Sequence, residues 1–101
     1  MAKAKSNGQT KEIPVLVTTE FRGVFFGYTT DASGDTITLT RARNCIYWPV
    51  GNRGFLGLAT YGPQPGARVG PAAAKIELRK ITCVAAVSPA AVEKWEGAPW
   101  A

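Results

Sequence analysis

The sequence contains no histidine. That removes the commonest general base near neutral pH and the commonest neutral metal ligand. There are only two cysteines, Cys45 and Cys83. They lack the paired spacing of a zinc site, and neither lies in a motif typical of a catalytic thiol. Both are read as reduced and buried in the core. A disulfide between them would need Cα atoms within about 7 Å. No run approaches the ~20 apolar residues of a membrane-spanning helix. Residues 1–11 are polar and basic, without the apolar centre of a signal peptide. The expectation is therefore a cytoplasmic protein with no membrane partner. A phosphate loop of the GxxxxGK-S/T type is missing as well. Gly66-Ala67-Arg68-Val69-Gly70 echoes it only weakly, because no helix follows.

The carboxylates do not fill the gap. Asp31 and Asp35 flank a turn that needs such residues anyway. Glu93 and Glu96 stand three apart on an expected helix, where they read as a solvated face. No catalytic residue, metal ligand or cofactor is expected, and the chain is read as a binding protein and not an enzyme.

What is present suits one globular domain. The chain has 101 residues, 46% hydrophobic and 19% charged. Residues 1–11 are read as a flexible basic arm and residues 12–101 as a single β-rich domain. A chain this short buries a modest fraction of its surface, so a homo-oligomer is expected. The net charge of +5, from 12 basic and 7 acidic residues, suits an anionic partner.

The apolar pattern has mostly a period of two. Residues 13–19 are β-branched and apolar apart from Pro14, which predicts a strand with an edge-like start. Residues 22–29 form a second strand, in which Gly23 and Gly27 mark a sharp bend or a close backbone approach. A turn follows at residues 30–35, and residues 36–40 alternate strictly, completing a hairpin. Residues 44–48 read as a fourth strand. Residues 51–57 and 62–70 read as loops around a short apolar piece, residues 55–61. Residues 75–87 form a long strand whose apolar face changes register, which predicts a bulge or bend near Lys80. Ser88-Pro89 opens a short helix that Gly97 stops, with Val92 and Trp95 on the face that docks. The expected fold is mainly β: a small, strongly curved antiparallel sheet or partly open barrel with one short C-terminal helix.

One constellation stands out. No acidic residue lies between Asp35 and Glu77. That window holds Arg41, Arg43, Arg53, Arg68 and Lys75, the aromatics Tyr47, Trp48, Phe55 and Tyr61, and most of the glycines. Arginine makes bidentate contacts with phosphate, aromatic rings stack on bases, and glycine lets main-chain N–H groups approach an anion. The candidate phosphate contacts are Arg41, Arg43, Arg53 and Arg68. The candidate stacking residues are Tyr47, Trp48 and Tyr61. Two residues apart on a strand, Arg41 and Arg43 are expected to face the same side. The opposing reading makes Tyr47 and Trp48 core residues and the arginines scattered surface charge. At the C-terminus, Trp95 and Trp100 are candidate interface residues, although Trp95 also suits the core.

Arg22-Gly23-Val24-Phe25-Phe26-Gly27, Asn44-Cys45-Ile46-Tyr47-Trp48, Gly57-Leu58-Ala59 with Gly62-Pro63, Arg68-Val69-Gly70-Pro71 and Val92-Glu93-Lys94-Trp95-Glu96-Gly97-Ala98-Pro99-Trp100 form a set of motifs. The set resembles a family of small uncharacterised proteins of tailed phages and prophages, over roughly residues 15–100. The resemblance implies context and assigns no residue a role. A small phage protein of this kind is expected to act in the host cytoplasm as an inhibitor of antiviral defence that sequesters an anionic nucleotide-like signal. Two rivals remain: a nucleic-acid-binding module, to which the basic arm (Lys3, Lys5, Lys11) would contribute, and a protein-interaction or virion component using exposed aromatics.

Overall fold

The computed structural model describes residues 11–20, 23–48, 51 and 53–98. The expected basic arm, Lys11 apart, and Trp100 lie outside them. Strands β1 (Ile13–Thr19), β2 (Val24–Thr29) and β3 (Thr36–Tyr47) form an antiparallel meander. Helix α1 (Gly54–Tyr61) and a two-residue strand β4 (Arg68–Val69) follow. Then come β5 (Ala73–Arg79), β6 (Ile81–Ala86) and helix α2 (Pro89–Gly97). The sheet order is β4-β3-β2-β1-β6, with β5 also paired to β3.

The curvature comes from one bent segment. β5 pairs with β3 from Arg79 opposite Thr36 to Ala73 opposite Ala42. One residue later, at Lys80, the backbone turns left-handed (φ 57). β6 then pairs with β1 at the far side of the sheet. The register change expected near Lys80 is thus a corner at which one stretch of chain passes from β3 to β1. It curls the sheet without closing it.

This curl gives β1 two buried faces. Val15 and Val17 point into the curl with Ile37, Leu39 and Ala42. Leu16 points the other way, joining Val24, Phe26, Cys45, Leu58, Val69 and Trp95 under the helices. The continuous apolar run is what a strand buried on both faces requires. Pro14 fits because its missing N–H falls where β6 has already ended. Gly27 is the close approach expected in β2: a Cβ there would stand 2.8 Å from the Cβ of Leu39. Gly27→Ala should therefore cost roughly 1–3 kcal/mol by overpacking, read as a lower urea midpoint with unchanged slope.

Three local expectations change. Residues 36–40 and 44–48 are not separate strands, since β3 runs unbroken through a bulge. Thr40 lies opposite Tyr28 and Arg43 opposite Phe26, so β3 carries one extra residue there, and Arg41 takes φ 50. The apolar piece at residues 55–61 is a helix, and the following loop conceals β4. Cys83 is exposed, and only Cys45 is buried; both thiols are free. Burial pushes the Cys45 thiol up to about 11. A thiol reagent should accordingly modify Cys83 alone in the native protein and reach Cys45 only after unfolding, as mass spectrometry would count.

Candidate functional site

The acid-free window does not converge on one place. Its arginines and aromatics divide into four settings. Arg41 is exposed and lies 2.9 Å from Glu12, with its guanidinium 4.0 Å above the Tyr28 ring. Arg43 is buried. Its Nε donates to the Gly70 carbonyl and its Nη1 to the Trp95 carbonyl, both at 2.8 Å. The bulge at Arg41 cancels the two-residue spacing argument, and the two arginines share no surface. Arg43 ties β3 to the β4–β5 connection and to the end of α2, where its charge suits the helix dipole. It is a clamp and not a ligand contact.

Tyr47 and Arg68 lie opposite each other across β3 and β4. With exposed Ile46 they line a shallow depression of about 350 Å³. Trp48 is half-buried against the core beneath the helices. Trp95 is fully buried, stacked on Phe26 with ring centroids 5.3 Å apart, and its Nε1 donates to the Leu58 carbonyl. It belongs to the core of its own domain, which corrects its reading as an interface residue.

Arg53 and Tyr61 do meet. Both border a cleft of about 440 Å³ between α1 and α2, together with Gly51, Thr60, Gln64, Ala90 and Lys94. The Arg53 guanidinium stands 5.6 Å from the Tyr61 ring centroid. No acidic side chain is among these lining residues. Arg41, Arg79 and Lys80 each face a glutamate. Arg53 and Lys94 have no acidic partner among the described residues. The cleft thus gathers two uncompensated cations, an aromatic face and the positive end of α2. Gln64 and Lys94 also line an adjoining depression of about 470 Å³ bordered by Pro63 and Pro65.

Two local features build this cleft. The first is the strain at its rim: Arg53 is left-handed (φ 63), caps α1 without a side-chain hydrogen bond, and precedes Gly54 at φ 77. A non-glycine residue in that region costs roughly 1–2 kcal/mol. The second is the docking of α1 on α2. The Ser88 hydroxyl donates to the Thr60 carbonyl at 2.6 Å and accepts from the Ala91 N–H. The Ser88 N–H reaches the Ala59 carbonyl. Gly62 (φ 81) lets the chain leave α1 against α2, where a Cβ would stand 2.7 Å from the Cβ of Lys94. Lys94 was absent from the sequence candidates because it lies on α2, outside the acid-free window.

The other polar clusters read as structure. Asp31 accepts from the Ser33 N–H and hydroxyl, which hold its carboxyl below the ordinary carboxylate range. No group of His, Cys, Asp and Glu among the described residues could hold a metal. No helix among them is long and apolar enough to cross a membrane. The Tyr28 hydroxyl donates to Glu96, and burial first, then that bond, push its phenol up to about 12. An unfolded tyrosine loses its proton near 10. Between pH 10 and 12 the folded state holds a proton that the unfolded state has lost, so stability falls there with rising pH. Cys45 acts likewise from about pH 9 to 11. Urea midpoints should be flat between about pH 5 and pH 9 and then decline, with Tyr28→Phe flattening the part above pH 10.

Fold and cleft together define a curled β-sheet domain that carries a basic, aromatic cleft between two short helices. The chain belongs to the family described as a domain of unknown function, DUF6948, which it matches over residues 12–95. No curated protein matches the chain, and neither does any solved structure.

Proposed function

We propose that this protein captures, without converting it, a small anionic ligand of the nucleotide class in the cleft between α1 and α2. The observation that carries this reading is that Arg53 and Lys94, two cations without acidic partners among the described residues, line one cleft beside the Tyr61 ring. The cations would take the phosphate, and Tyr61 with the arginine plane would face the base. Thr60 and Gln64 offer hydroxyl and amide groups for orientation. The cleft volume lies within the range of small-molecule sites. With the resemblance to small phage proteins, the reading extends to a phage-encoded inhibitor of antiviral defence. It would act as a homo-oligomer in the host cytoplasm by sequestering a nucleotide signal.

One observation favours a second reading, a nucleic-acid-binding module: exposed Tyr47 beside Arg68 supplies an aromatic and a cation on an open surface. A thermal-shift panel of cyclic and ADP-ribose-type nucleotides, run beside single-stranded DNA and RNA, separates the two. A ligand at 100 times its Kd adds about 2.7 kcal/mol, a shift of many degrees for a domain this small. A shift with a small nucleotide and a shallow salt slope supports capture. Binding of polymers alone, with affinity falling steeply in salt, supports the second reading. No shift with any nucleotide removes the first.

A further inference from the structure

The outer edge of β6 has no partner strand among the described residues. One bond fixes which of its main-chain groups face outward. The Val87 N–H donates to the Pro14 carbonyl, and Ala86 lies opposite Val15. In antiparallel pairing the main-chain groups of successive residues alternate between the two edges. Cys83 and Ala85 therefore point theirs at β1, and Val84 and Ala86 point theirs away; at Thr82 the register with β1 shifts, and the alternation stops there. Thr82, Cys83 and Ala86 are exposed, as an open edge requires.

Strands β5 and β6 differ in the protection of their open edges. Open edges are normally blunted with charge or proline. β5 carries Lys75, Glu77 and Arg79 along its length. β6 reads Ile-Thr-Cys-Val-Ala-Ala, with neither charge nor proline.

We infer that β6 is an association edge whose partner is β6 of a second copy of this chain, paired antiparallel about a two-fold axis at Ala85. In that register Val84 faces the partner's Ala86, and Ala85 faces the partner's Ala85. Both outward residues of each strand then exchange N–H and carbonyl bonds, and a shift of two residues leaves some unpaired. An uncharged strand meets its own copy without like-charge repulsion, and a two-fold pairing uses the same patch on both subunits. One shared strand pair is a small interface, so a weak, reversible dimer is expected. The inference rests on the oligomeric part of the proposed function and is independent of the ligand.

Sedimentation velocity over a concentration series up to about 200 µM should show a monomer–dimer equilibrium. Ala86→Pro removes one outward N–H and alters an exposed side chain, leaving the β1 ladder intact. It should keep the circular dichroism and Tm of the monomer while weakening the dimer at least about tenfold. In this register Cys83 and the partner's Cys83 lie on one face of the sheet, four residues apart along the strands, roughly 14 Å. A bismaleimide with a spacer of that length should therefore give cross-linked dimer with the wild type and none with Cys83→Ser, and this arm holds even if Ala86→Pro unfolds. A protein that stays monomeric throughout overturns both this edge and the oligomeric reading. A dimer that resists Ala86→Pro and forms no Cys83 cross-link leaves the oligomer standing and overturns this edge.

Discussion

Trp95→Ala is expected to lower the protein's stability by about 3–5 kcal/mol, and its urea midpoint with it. Trp95 is among the largest fully buried side chains, and its ring joins the sheet to both helices. It stacks on Phe26, and its Nε1 bonds the Leu58 carbonyl near the end of α1. A loss of that size is the usual cost of truncating a buried tryptophan, before the lost indole hydrogen bond is counted. A domain of this length holds about 5–15 kcal/mol in all. Trp95→Phe restores the stacking but not the hydrogen bond, so its urea midpoint should fall between those of alanine and wild type. Equal midpoints for Trp95→Phe and wild type would show that the indole bond to α1 contributes nothing.

Arg43→Ala should be the next most damaging change, on the order of 3 kcal/mol. It leaves the Gly70 and Trp95 carbonyls without donors in a buried place. Burial pulls the guanidinium pKa below its ordinary value, yet an arginine so displaced stays charged at neutral pH. Arg43→Lys keeps the charge and loses the fork, since a single ammonium does not match two diverging acceptors in the same way. It should recover part of the loss. Chemical denaturation of the three proteins checks the order. An Arg43→Ala protein that folds as stably as wild type but no longer binds an anion would make Arg43 a ligand residue and contradict the clamp.

These two residues show what the sequence made legible. Trp95 was readable as a docking residue because Ser88-Pro89 announces the start of α2 and Val92 and Trp95 share one face. The structure bears this out: the Ser88 side chain caps the helix, and Trp95 is buried. The ends of β1, the hairpin turn and the corner at Lys80 were legible for the same reason, that alternation and turn chemistry are local. Arg43 was misleading because its burial depends on a bulge two residues earlier and on carbonyls 27 and 52 positions away. Helix α1 was invisible for a related reason. It has two glycines, no N-cap side-chain bond and no acidic first turn. Its stability comes from Ser88 and Trp95, which bond the carbonyls of Leu58, Ala59 and Thr60 from elsewhere in the chain. With α1 unseen, Lys94 had no visible neighbour, and the cleft could not be assembled from residue order alone.

As a proposed ligand contact, the strained Arg53 serves the cleft and not the fold. Glycine accepts a left-handed backbone at no steric cost, so Arg53→Gly should leave the Tm unchanged or slightly higher. The same change deletes the guanidinium beside Tyr61. The most direct measurement is a calorimetric titration of wild type and Arg53→Gly, side by side, with whichever nucleotide gives the largest thermal shift. Affinity should fall at least about tenfold in a protein whose Tm has not dropped. Equal affinity in the two proteins, or a lower Tm in Arg53→Gly with binding intact, would contradict this role of Arg53.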